Sequence, residues 1–155
     1  TIAYWCILAT IILPYLFAVL GQLPGLNYEG FKEPRRRWPS ITGWKARSNS
    51  AHINGLEVIS SFAAAIIVAH LTQVPQNTID TLAMIFVSSR LLHAGFYMAD
   101  FAAWRTISFL CGFACIIALF VVAVDEYVTV PMQFCRALCR TDMGDIGYLL
   151  SVASL

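Results

Sequence analysis

Charged residues are scarce in this chain, 12% of 155 residues against about a quarter in ordinary soluble domains. With 59% hydrophobic residues and a mean hydropathy of +0.70, that deficit excludes a soluble domain and implies an integral membrane protein. A signal-peptide pattern is missing as well. Residues 2–20 are apolar, but they have no basic n-region, carry Pro14 in their middle, and show no small-residue cleavage pattern before Leu23 and Pro24, so they read as a retained first helix. The Thr1 start fits removal of an initiator methionine.

Among the five cysteines there is no C-x-x-C pair and no complete zinc set. Cys6, Cys111 and Cys115 fall in apolar runs, where thiols act as small hydrophobes, and Cys135 and Cys139 stand four apart in the tail. Thiol-redox chemistry at that last pair is the weakest functional option. The net charge of +1 gives no general case for nucleic acid, and Arg35, Arg36 and Arg37 beside a membrane helix read as a topology anchor or a lipid-headgroup contact. No internal repeat or low-complexity tract is evident.

What the chain does have is four long apolar runs, at residues 2–20, 54–74, 79–99 and 106–124. Each is near the ~20 residues that a spanning helix needs. The fold class is therefore all-α, an integral membrane four-helix bundle. One domain covers residues 1–124, with a C-terminal extension of unassigned role at residues 125–155. Pro14 should kink the first helix, and Gly21, Gly25, Gly30 and Gly43 with Pro24, Pro34 and Pro39 punctuate a surface connection. The second helix is expected to begin around residues 41–44, capped by Ser40 or Thr42, and to end before Pro75. The third should start after Asn77 or Thr78 and run to about Asp100. The turn at residues 99–103 is short, which makes the third and fourth helices antiparallel. The fourth is expected to end near Val124, at Asp125 and Glu126. Pro131 should break the tail, and the apolar run at residues 146–155 is too short to span, which suits an interfacial helix or a partner contact.

Lys32, Arg35, Arg36, Arg37, Lys45 and Arg47 all fall in the first connection, the second has no basic residue, and Arg105 marks the third. The positive-inside rule then places the first and third connections in the cytoplasm and both termini outside, with Arg136 and Arg140 pulling slightly the other way. Trp38 and Trp44 suit an interfacial aromatic belt.

Against this apolar background two polar stripes stand out. Ser50, Asn54, Glu57 and Ser61 share a face of the second helix; Arg90, His93 and Tyr97 share a face of the third. A charge at membrane depth costs roughly 2.5–3.5 kcal/mol on insertion scales, so several together suggest a site inside the bundle. By the topology above they gather, with Arg105, in one cytoplasmic-side leaflet. A purely structural alternative is a buried Glu57–Arg90 pair with Asn54 as interhelical glue. It leaves His93, Tyr97 and Arg105 unexplained. His52 and His70 read as core or interface residues. Asp80 reads as a first-turn acid favourable to the helix dipole, and Asp100 as a cap or a partner of Arg105.

The segment Ala51-His52-Ile53-Asn54-Gly55-Leu56-Glu57, then Arg90-x-x-His93-x-x-x-Tyr97, then Trp104-Arg105, resembles the MAPEG superfamily, the membrane-associated proteins in eicosanoid and glutathione metabolism. The opening Thr1-Ile2-Ala3-Tyr4-Trp5-Cys6 and Leu13-Pro14-Tyr15 look like its bacterial branch. The resemblance covers about residues 1–124. It implies a homotrimer in the lipid bilayer with glutathione as co-substrate between neighbouring protomers near the cytoplasmic side. For a bacterial member, the topology read above from the positive-inside rule means the inner membrane with both termini periplasmic. By motif position, Asn54 and Glu57 would hold the glutathione peptide, Arg90, His93 and Tyr97 would line the pocket, and Arg105 would stabilise the thiolate for attack on a lipophilic electrophile. Mammalian members carry arginines where this chain has Ser50 and Ile53, and only Arg47 remains nearby. The implied activity is a glutathione transferase or peroxidase. The alternative is a non-catalytic accessory subunit of a larger membrane complex, docked through residues 125–155.

Overall fold

The computed structural model describes residues 1–22 and 42–140, with side chains up to residue 129. Ser40, Trp38, the arginines at 35, 36 and 37 and the apolar run at residues 146–155 fall outside that range. Cys135 and Cys139 lie on a described helix, but their side chains fall outside it too. Among the described residues there are four helices: α1 (Ile2–Gln22), α2 (Trp44–Leu71), α3 (Gln76–Met98) and α4 (Ala102–Arg140). Each is long and apolar enough to cross a bilayer. The protein is an integral membrane four-helix bundle.

Neighbours in sequence run antiparallel. Tyr4 of α1 stacks on His70 of α2 at 4.7 Å, whereas Gly21, near the other end of α1, abuts Ser48. In lipid the hydrophobic effect does not drive helices together, so close packing through small residues does. At Gly55 a β-carbon would stand 2.7 Å from Pro14 Cγ, and at Gly21 one would stand 2.9 Å from Ser48 Cβ. Pro14 sits inside α1 without ending it. Lacking an N–H, it leaves the Thr10 carbonyl without its usual helical donor. Around it, His52 Nδ1 donates to the Pro14 carbonyl (2.9 Å) and Ser48 Oγ to the Phe17 carbonyl (2.6 Å), tying α2 to α1.

Two helix ends are closed in the same way. After α2, Gln73 adopts φ 61°, its N–H meets the His70 carbonyl, and the Val74 N–H reaches back to Ala69 (3.0 Å). After α3, Asp100 adopts φ 66°, its N–H meets Tyr97, and the Phe101 N–H reaches Phe96 (3.0 Å). Both are Schellman closures with a non-glycine residue in the left-handed position.

Some boundaries differ from expectation. The residue before α2 is Gly43 at φ 67° and ψ −145°, a conformation open essentially to glycine, and no side chain caps the helix, so Thr42 is not the cap. Helix α3 begins at Gln76, directly after Pro75, which puts Asp80 beyond the first turn. Asp80 instead accepts the Ala3 N–H (2.8 Å) and the Gln76 amide (2.8 Å). It caps α1, whose first N–H groups have no intrahelical acceptor. Helix α4 does not stop at Val124. Acidic residues do not end a helix, Thr129 Oγ1 folds back onto the Asp125 carbonyl (2.7 Å), and α4 continues past Pro131 to Arg140.

The apolar core occupies the half of the bundle holding the N-termini of α1 and α3. Phe62 and Phe86 stack there at 3.9 Å among Ala3, Ala65, Ile66, Ile79 and Leu119. The buried polar residues, among them Ser48, His52, Arg90 and His93, gather in the other half.

Candidate functional site

Arg90 is the centre of the polar half. It stands eight residues before the end of α3, about 12 Å from that end at the helical rise, and is only 7% exposed. Its guanidinium reaches across the bundle. Nη1 donates to Asn54 Oδ1 on α2 (3.5 Å), and Nη2 donates to the carbonyls of Phe109 (3.2 Å) and Ser108 (3.5 Å) on α4. The ring of Phe109 lies 5.2 Å from Cζ and that of Phe86 5.6 Å. Glycine at 112 makes the room, since a β-carbon there would lie 3.0 Å from Nη2 and 2.6 Å from Ser89 Oγ. Every one of these hydrogen bonds runs to a neutral acceptor, so the buried cation carries its charge uncompensated by them.

The Glu57–Arg90 pair is not formed. Glu57 faces out of the bundle and takes a long hydrogen bond from Asn54 Nδ2 (3.5 Å), so Asn54 stands between carboxylate and guanidinium. The reason is angular: at i and i+3, Asn54 and Glu57 are neighbours on the helix surface, but only Asn54 turns inward enough to reach α3. Ser61 is exposed as well, so the α2 stripe faces partly outward rather than wholly into the bundle.

His93 lies one turn further along α3 and is 6% exposed. Its Nδ1 is 3.0 Å from the Arg105 carbonyl on α4, its ring meets Tyr97 edge-on at 5.6 Å, and its Nε2 is buried with no partner. The Arg105 guanidinium covers the Tyr97 ring at 4.5 Å. Arg105 stands in the first turn of α4. There the helix dipole presents its positive end, an unfavourable place for a cation without a counter-ion. Asp100, expected to cap α3 or pair with Arg105, instead meets Arg47 at 3.5 Å. Arg47 also donates to the Met98 carbonyl (3.3 Å), so this nearby basic residue is engaged with the end of α3.

Asn54, Arg90 and His93 line an open-sided cleft of about 330 Å³, mouth included, between α1, α2 and α3. Thr10, Leu13, Pro14 and Phe17 form its α1 wall. Sequence reasoning missed this wall: the residues are ordinary for a membrane helix, and Pro14 was legible only as a kink. The structure thus brings Asn54, Arg90, His93, Tyr97 and Arg105 to one end of the bundle, with Glu57 on its outer rim. Among the described residues no group of histidine, cysteine and acidic side chains is arranged to hold a metal.

The fold and the site together define an integral membrane four-helix bundle with two arginines, Arg90 and Arg105, near one end. The MAPEG family model matches residues 2–124, and the chain belongs to that family, the membrane proteins of eicosanoid and glutathione metabolism. Comparison with curated proteins and with solved structures finds no match.

Proposed function

We propose that this protein binds glutathione at the Arg90–Arg105 end of the bundle and activates its thiolate for attack on lipophilic electrophiles, as a membrane glutathione transferase or peroxidase. The observation that carries this reading is the pair of arginines. One is buried on neutral acceptors, and the other is set against a helix dipole. Both placements cost free energy, and a bound anion offsets that cost.

Glutathione has two carboxylates and an ionisable thiol, which suits two guanidinium groups. Arg105 is the catalytic residue. Held by Tyr97, its guanidinium lowers the pKa of an adjacent thiol, and the thiolate is the nucleophile. Asn54 and Glu57 take the peptide and its amino group, while Arg90, His93 and Tyr97 form the pocket. Glu57, exposed on a spanning helix, fits a ligand shared with a neighbouring copy in a homotrimer. The acceptor reaches the site through the bilayer, and the arginine-bearing end faces the cytoplasm.

Purified protein mixed with glutathione should develop the ultraviolet absorbance of a thiolate, lost in Arg105→Ala. No glutathione binding at millimolar ligand sinks the proposal. A second reading, a non-catalytic accessory subunit, is favoured by the continuation of α4 to Arg140, past the family-matched segment. Co-purification with a larger membrane complex, abolished by deleting residues 125–155, is its signature.

A further inference from the structure

We infer that His93 is the base that receives the thiol proton of glutathione, an inference that rests on the function proposed above. The imidazole is fixed at one nitrogen only. A carbonyl oxygen only accepts, so the 3.0 Å contact to the Arg105 carbonyl requires a proton on Nδ1. In the neutral ring that leaves Nε2 as a lone-pair acceptor, and it is buried without a partner. An unsatisfied buried acceptor is costly, and in a functional site it is a mark of a group waiting for a donor.

The ring is also held against rotation. The edge of Tyr97 lies on one side at 5.6 Å and Phe109 at 6.0 Å. His93 is a lining residue of the cleft between α1, α2 and α3, and with Nδ1 engaged by α4 we assign the free Nε2 to the cleft side. The enclosed part of that cleft has room for a group about the size of a water molecule. A thiol fits there and the bulk of a tripeptide does not, so the cleft receives the sulfur end while the rest of the ligand stays at the mouth.

The charged and titratable groups facing His93 are Arg90 and Tyr97 from α3 and Arg105 from α4; the nearest polar residues on the cleft walls of α1 and α2, Thr10 and Asn54, are neutral. The step balances without any co-reactant. The S–H bond breaks, its proton goes to Nε2, and the sulfur keeps the electron pair as a thiolate. The result is a thiolate–imidazolium pair with Arg90 and Arg105 as the accompanying cations. His93 is in this way linked to the catalytic arginine through that residue's own main chain, the carbonyl of Arg105 setting the tautomer, while Arg90 is the cation that lines the cleft itself.

The test uses the whole protein in detergent or nanodiscs, with histidine labelled by nitrogen-15 and glutathione as the ligand. Of the three histidines, His93 is assigned by the His93→Gln spectrum. Without ligand its ring should show the neutral form protonated at Nδ1. With saturating glutathione, at a pH where the thiolate absorbance has developed, both ring nitrogens should be protonated. His93→Phe, with glutathione binding measured separately by calorimetry, should need a pH about one unit higher to form the same thiolate fraction, a roughly tenfold loss at fixed pH. Bound glutathione with a developed thiolate and a still-neutral His93 overturns the inference, as does an unchanged titration in His93→Phe, and either result leaves the proposed function standing. Failure of the wild-type protein to bind glutathione overturns both. The spectrum of the unsubstituted protein decides the matter even if His93→Phe does not fold.

Discussion

Substituting Gly112 by alanine should destabilise the bundle, although alanine is the better helix former. The added β-carbon would stand 2.6 Å from Ser89 Oγ, 3.0 Å from Arg90 Nη2 and 3.1 Å from Arg90 Nε. Ser89 cannot yield without releasing the Phe86 carbonyl that its hydroxyl holds at 2.7 Å. Arg90 cannot yield without loosening its bonds to Phe109 and Ser108. Overpacking of this kind costs about 1–3 kcal/mol, and a hydrogen bond from a charged donor is worth about 1.5–3 kcal/mol. The gain in helix propensity from glycine to alanine is about 1 kcal/mol. The clash wins, and a net loss of about 1–3 kcal/mol is expected. Equilibrium unfolding by SDS titration in mixed micelles, read by helicity, measures it directly. Gly95 is the internal control. It lies in α3 with nothing within 4 Å of where its β-carbon would be, so Gly95→Ala should stabilise by about 0.5–1 kcal/mol. If Gly112→Ala proves as stable as wild type, or gains like Gly95→Ala, then α4 does not press on Arg90 and the account of the buried guanidinium fails.

Three further outcomes follow from other contacts. Gln73, at φ 61° after α2, should be improved by glycine, and Gln73→Gly should raise the unfolding midpoint with a gain of about 1 kcal/mol. Asp80→Ala removes the acceptor of the Ala3 N–H and should cost about 1 kcal/mol, seen as faster amide exchange in the first turn of α1. Gly55→Val would drive side-chain atoms into Pro14, already 2.7 Å from a bare β-carbon, and should separate α1 from α2, with a fall in stability of at least about 1–3 kcal/mol in the same micelle titration.

The number and rough extent of the spanning helices were legible in the sequence because lipid imposes a simple rule. About 20 apolar residues with few charges can satisfy every backbone group only as a helix. The gathering of Asn54, Arg90, His93, Tyr97 and Arg105 at one end was legible for a related reason. Once the helices alternate in direction, position along each run fixes depth. What the sequence could not settle was rotation about the helix axes, because α2 has small or mildly polar residues on several sides. Glu57 therefore looked like a natural partner for Arg90, whereas the packing gives that place to Asn54 and to the carbonyls of α4. Helix ends were also open, since Gly43 and Gln73 act through backbone conformation rather than through recognisable side-chain caps.

By itself the sequence determined the membrane class, the four helices and the end of the bundle where polar chemistry collects, because hydropathy and charge spacing act along the chain, and its short motifs carried the family resemblance. Only the tertiary structure decided which groups meet: Asp100 with Arg47, Asp80 with the start of α1, and His93 with the main chain of Arg105, its second nitrogen left free. Those pairings depend on helix rotation and on close approach at Gly21, Gly55 and Gly112, distances that no one-dimensional pattern contains.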